Sequence, residues 1–252
     1  MKRLKLVFTL GFSDFKARYA GTVLGGLWAF ALPIVTVLLY LFVYTVAIGA
    51  DMVEGVPYVL YLICGAAPWF FVAEAWTGMT AVYHDYAYLI KKVQFPREVL
   101  PGVRLVAALL VHLFFVALVF VVTWCFGISP RMENLSLLYF IFSAVIFSYA
   151  AGGLLAVLCG VVRDIAQVLG ILLQLGFWVL PIFWSGSALS GSIRMLVYAN
   201  PLCYLVEGYR TAFLGGNMQL GYTMYFWLVT LFLFGLQIWL SRKILPQLPD
   251  IL

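Results

Sequence analysis

Charge is scarce in this chain: Asp, Glu, Lys and Arg make up 10% of its 252 residues, against 65% apolar. A soluble domain carries about 25% charged residues, so the composition excludes an ordinary water-soluble fold and points to lipid as the solvent. None of the six lysines follows a glycine, which excludes a P-loop Gly-Lys. His84 and His112 are too far apart for a metal-binding His pair on one helical turn, and no serine stands in a nucleophile elbow. Cys64, Cys125, Cys159 and Cys203 have no paired spacing and read as apolar packing residues. No metal, cofactor or catalytic site is therefore expected on this chain. Asp14, Lys16 and Arg18 interrupt any apolar core of a cleavable leader. No internal repeat or linker is visible, so residues 1–252 are expected to form one membrane domain.

What is present is a series of long apolar runs. Crossing the hydrocarbon takes about 20 helical residues, and unpaired backbone groups are intolerable there. Six spans are expected, over 24–48, 57–81, 99–126, 135–162, 165–185 and 222–240, giving an all-α integral membrane protein. Twelve basic residues, from Lys2 through Arg104 plus Arg163, Arg242 and Lys243, fall on one side of that arrangement. Only Arg131, Arg194 and Arg210 fall on the other. The bias places both termini in the cytoplasm, with 241–252 as a cytoplasmic tail. The net charge of +5 is then a topology signal, and nucleic acid is not an expected partner.

The segments between spans carry the functional clues. Within 1–23, Leu4, Phe8, Phe12, Phe15 and Tyr19 share a stripe at helical spacing, with Lys2, Lys5, Thr9, Ser13 and Lys16 on another face. That pattern predicts an amphipathic helix lying in the membrane interface, as an anchor or beside a substrate entrance. Residues 83–98 mix aromatics with charge and end near Pro96, which suits either a short presented helix or a solvated loop. Residues 186–221 are broken by Gly186, Gly191, Asn200-Pro201 and Gly215-Gly216. Two short helices, roughly 190–198 and 202–214, are expected there as an extracytoplasmic re-entrant hairpin. Glu207 and Arg210, three residues apart, can neutralise each other.

Glu74 and Arg104 lie inside their expected spans at matching depth, which predicts an ion pair between the second and third spans. His112 reads as a satisfied core histidine. Trp184, Tyr204 and their aromatic neighbours read as an interfacial belt or as part of a conduit.

Several short motifs occur together. They are Asp14-Phe15-Lys16-Ala17-Arg18-Tyr19, Leu24-Gly25 with Trp28 and Pro33, and Lys91-Lys92 followed by Phe95-Pro96-Arg97-Glu98-Val99-Leu100-Pro101. Arg163-Asp164-Ile165, Gly176-Phe177-Trp178 with Pro181-Ile182, Asn200-Pro201 and Tyr209-Arg210 complete the series. In order and spacing the chain resembles the membrane subunit of type-2 ATP-binding-cassette exporters, nearest the permeases for O-antigen and teichoic acid. The resemblance implies a homodimer in the bacterial plasma membrane with two cytoplasmic ATPase subunits, which would hold the ATP and magnesium. It implies a polysaccharide cargo on an undecaprenyl-diphosphate lipid. Residues Tyr83, Asp85, Tyr86, Leu89, Lys91, Lys92 and Phe95 would then couple to the ATPase, and Lys16 and Arg18 would attract the diphosphate at the entrance. Trp184, Tyr204, Glu207 and Arg210 would lie at the exit. An exporter of drugs or lipids is the alternative within that class. A membrane-embedded glycosyl- or acyltransferase is the alternative outside it, and would need more than the thin cluster His84, Asp85 and Glu98.

Overall fold

The computed structural model describes residues 2–19, 25–49, 51–92 and 96–252. It is an all-α membrane bundle. Helix α1 (Lys2–Tyr19) precedes α2 (Trp28–Leu41), which continues as a π-helical stretch through Ala47. A two-residue hairpin, β1 (Met52–Val53) and β2 (Val56–Pro57), leads into α3 (Tyr58–Asp85). Glu54 and Gly55 at its tip both have positive φ, which is the backbone a two-residue hairpin turn requires. Then follow α4 (Ala87–Lys92), α5 (Leu100–Cys125), α6 (Ser136–Val161), α7 (Ile165–Val179), α8 (Gly191–Tyr198), α9 (Pro201–Leu214), α10 (Leu220–Ile244) and α11 (Leu248–Ile251).

Helix α3 is the hub, packing against α5, α6, α9 and α7. Its most apolar stretch is 72% buried, against 17% for that of α10, so α10 lies on the outside of the bundle. Among the described residues five helices are long and apolar enough to cross a membrane: Gly25–Ala47, Tyr58–Asp85, Arg97–Cys125, Met132–Val161 and Leu220–Ile244. The span expected over 165–185 is shorter. Helix α7 has 15 residues, about 22 Å at 1.5 Å per residue against a hydrocarbon core of about 30 Å. Pro181 explains where it stops, because the residue before a proline is pushed out of the helical region and Leu180 is extended.

Helix α1 has three faces rather than two. Leu4, Phe8 and Phe12 are exposed, as an interfacial stripe should be, and Lys5, Thr9, Ser13 and Lys16 are exposed beside them. The third face packs on α5. A Cβ on Gly11 would come within 2.8 Å of Val106, and one on Gly102 within 3.3 Å of Val7. Each glycine thus admits a valine from the facing helix, and the two backbones approach closely.

The expected tail over 241–252 is not a free tail. Helix α10 runs to Ile244, and α11 folds back so that Leu248 is fully buried.

Candidate functional site

Two polar sites stand at opposite ends of α3. The first joins α1, α3 and α5. Asp14 is its centre, with a side chain only 9% exposed. Its carboxylate accepts from Arg104 Nη1 at 3.0 Å and from the Tyr86 hydroxyl at 3.0 Å, with Arg18 Nη2 at 3.8 Å. Arg104 Nη2 also donates to Asp85 at 2.5 Å, and Arg18 Nη1 donates to Glu74. Burial, with the Asp14 carboxylate beside it, pushes the Tyr86 phenol up to about 12, so it remains a donor at neutral pH.

The expected Glu74–Arg104 pair is therefore replaced by two others. Glu74 lies eleven residues before Asp85, about 16 Å along α3 at 1.5 Å per residue. Arg104 follows the start of its own helical segment at Arg97 by only seven residues. Its guanidinium reaches toward the nearer acid, Asp85, and Glu74 takes Arg18 from α1 instead. Both arginines pass beside Gly78, where a Cβ would lie 3.5 Å from Arg18 and 3.6 Å from Arg104. Glu74 also faces a cavity of about 290 Å³ lined by Trp28, Thr36, Phe70, Thr77 and His112.

Next to this node is α4. Its Ile90 is buried, while Lys91 and Lys92 are exposed and Tyr88 is 71% exposed. Leu89 is half-buried. The expected coupling residues are thus divided. Lys91 and Lys92 are presented, Asp85 and Tyr86 belong to the charged node, and Tyr83 is turned into the core. Phe95 lies outside the described residues. Tyr88 is the most prominent residue of this face and was absent from the expected set, although its position between two charged stretches could have marked it.

The second site surrounds α9. Arg210, with a side chain 6% exposed, donates Nε to the Tyr61 carbonyl at 3.2 Å and Nη2 to the Ile182 carbonyl at 2.8 Å. Its Nη1 donates to Glu207 at 3.1 Å, and the guanidinium lies 3.6 Å from the centre of the Tyr61 ring. A Cβ on Gly65 would be 2.6 Å from Nη2, so glycine at that position makes the room. One side chain thereby ties α9 to α3 and to the segment after α7. Gly208 meets the Phe140 ring in the same close manner, and Tyr204 is fully buried with its hydroxyl 2.9 Å from that of Tyr139.

Helix α9 is consequently a core helix, buried along most of its length. Tyr204 and Arg210 sit at packing positions, with their polar atoms taken up inside the bundle. Trp184 is half-buried and donates to the Trp178 carbonyl at 3.1 Å. Glu207 borders a cleft of about 740 Å³ lined also by Arg194, Tyr198, Thr211, Tyr222 and Tyr225. The nearby hairpin is fastened by Ser185, which donates to Glu54.

Burial holds the Glu207 carboxyl above the usual carboxylate range, with Arg210 opposing the shift. A carboxyl raised on folding contributes stability that is present below its unfolded pKa and is lost as pH rises through the folded one. Thermal stability in detergent should therefore fall from about pH 4 upward, and Glu207→Gln should flatten that dependence. An identical pH profile in the variant would show that Glu207 titrates normally.

Beside the second site stands a cluster of aromatics. Tyr44 stacks on Tyr58 at 5.1 Å and on Phe183 at 5.6 Å, and Trp178 stacks on Phe183 at 5.1 Å. His112 is buried and only half satisfied: its Nε2 lies 2.7 Å from the Tyr209 hydroxyl, while its Nδ1 has no hydrogen-bond partner among the described residues.

The sequence pattern of ABC-2 type transporters matches residues 5–214. The chain belongs to that family. An O-antigen export system permease protein RfbA of Klebsiella pneumoniae is 24% identical over 253 residues, covering 95% of this chain and 96% of that protein. Its namesake in Myxococcus xanthus is 28% identical over 211 residues, covering 82% of this chain and 80% of that one. The family makes the chain a membrane permease, not an enzyme, and the ABC-2 assembly implies an ATP-binding partner.

Proposed function

We propose that this chain is the membrane half of an ATP-driven exporter of lipid-linked cell-envelope polysaccharide. Two copies would work with two ATP-hydrolysing subunits in the bacterial plasma membrane, with both termini cytoplasmic. The observation that carries this reading is the similarity, over most of the chain, to O-antigen export permeases of two bacteria.

The geometry fits it in four places. The chain has no P-loop lysine, so energy must come from a partner. Helix α4 presents Tyr88, Lys91 and Lys92 as a small docking surface. Helices α2 and α7 expose Val35, Leu38, Leu39, Ile171, Leu172 and Leu175, an apolar face suited to a second copy within the bilayer. Lys16 on α1 is exposed beside the apolar stripe, whereas Arg18 is engaged by Glu74 and Asp14. Lys16 is therefore the cation placed to attract an anionic diphosphate at the interface. Nucleotide-driven movement of α4 would reach α1 and α5 through Asp85, Tyr86 and Asp14, altering the seam between the two copies.

Depletion of the chain in its host tests the cargo. Surface polysaccharide should disappear while lipid-linked polymer accumulates inside. Normal surface polysaccharide, with retention of a drug or a lipid instead, would move the assignment to the other exporters of this class.

A further inference from the structure

Several helix glycines in this bundle make room for a facing side chain, as Gly11, Gly65, Gly152 and Gly208 do. Gly235 of α10 is different: a Cβ there would meet no facing group of the described chain within 4 Å. Glycine weakens a helix interior relative to alanine, and here nothing inside the fold uses the space it leaves. That space belongs to a groove of about 480 Å³, lined by Gly235, Ile238, Trp239, Arg242 and Lys243. At 100° per residue these five positions fall within about 140° of the helix circumference, so they share one face. Exposed Leu228 and Leu231 continue that face toward the middle of the span. With its apolar stretch only 17% buried, α10 turns this face outward to the bilayer.

The groove grades from basic to apolar along the helix axis. Arg242 and Lys243 stand exposed in the last turn, and neither is in an ion pair among the described residues. Lys243 Nζ lies 5.5 Å from the centre of the Trp239 ring, and that indole is 59% exposed. Gly235 comes seven residues before Arg242, about 10 Å deeper in the span. Across Arg242 a second recess holds Arg97 and Glu98, whose opposite charges leave the sign of the groove positive. A phospholipid has the same order: phosphate at the interface, ester carbonyls just below it, acyl chains below those. Guanidinium and ammonium suit the phosphate, and an indole N–H at headgroup level suits a carbonyl. We propose that this face of α10 is a binding site for an anionic phospholipid, with its phosphate on Arg242 and Lys243 and one acyl chain over Ile238 and Gly235. The lipid would brace the end of α10 where the chain turns toward α11. The site depends on the chain's place in a membrane and not on the cargo it exports.

The test is native mass spectrometry of the full-length chain released from detergent, titrated with phosphatidylglycerol or with phosphatidylcholine of the same acyl chains. The first phosphatidylglycerol should bind about thirtyfold more tightly, the attraction expected of two basic residues at a membrane surface. Arg242→Gln with Lys243→Gln should bring the two lipids level. Gly235→Leu should weaken both, since a side chain there enters the groove rather than the fold. Inorganic phosphate should displace neither. Equal binding of the two lipids by the unmodified chain overturns the proposal. So does a preference that survives in the double Gln variant, which would move the anionic lipid to other basic residues such as Lys5 and Lys16. Undiminished binding by Gly235→Leu overturns it too, and decides the matter if the double variant is not recovered from the membrane. Displacement by inorganic phosphate would leave an anion site with no part for the acyl chain, and would equally overturn it.

Discussion

Replacing Arg210 with methionine should destabilise the bundle by about 3–5 kcal/mol, the cost of breaking a buried charge pair by removing one partner. Methionine fills much of the space, so the loss comes from polar atoms rather than from a cavity. Glu207 would lose its counter-charge, and the Tyr61 and Ile182 carbonyls would each lose a donor. Helix α9 would lose its link to α3. The expected result is a chain recovered in small amounts from membranes, with a lower thermal midpoint in detergent and faster hydrogen exchange over α9. Arg210→Lys should rescue little, because one ammonium cannot span three acceptors that a planar guanidinium reaches together. A methionine variant that melts like the original would remove the clamp from the structural argument.

Asp14→Asn should release α1 from α5 at a cost of about 2 kcal/mol, the scale of hydrogen bonds to charged groups, because Arg104 keeps Asp85 and Arg18 keeps Glu74. Faster proteolysis or hydrogen exchange over α1 is the readout, with the other helices unchanged. Charge exchange identifies the partners. Asp14→Arg with Arg104→Asp should recover part of the protection, and Glu74→Arg should be rescued by Arg18→Glu. Rescue of Glu74→Arg by Arg104→Glu would contradict the pairing described here. Unchanged α1 protection in Asp14→Asn would show that Gly11 and Gly102 packing alone holds the helix.

Much of this fold is legible because lipid imposes few rules and enforces them strictly. Long uncharged runs must be helices, and five of the six expected spans are long, apolar helices near their expected bounds. The run over 165–185 is the exception: it is apolar throughout, but its helix ends at Val179, because Pro181 pushes the residue before it out of the helical region. The hairpin at 52–57 was missed because Glu54-Gly55 is a weak turn signal and the strands have two residues each.

At the sites, residue types were easier to read than partners. Asp14, Arg18, Glu74, Asp85 and Arg104 all stood out as charges near apolar runs, but which of them meet depends on helix depth and side-chain reach. The spacing of Glu207 and Arg210 predicted their contact, which is local. Nothing local predicts that Arg210 also reaches Tyr61, 149 positions away, or that α9 is a core helix. Its mixed polar pattern resembles an interfacial helix, since the charges are satisfied only within the bundle.

The most direct measurement is purification of the tagged chain from its native membrane, followed by mass spectrometry and an ATPase assay of what remains bound. A stoichiometric Walker-motif subunit with ATPase activity is the expected result for the membrane half of an ATP-driven exporter. A chain that purifies alone, or with a glycosyltransferase and no ATPase activity, would contradict it.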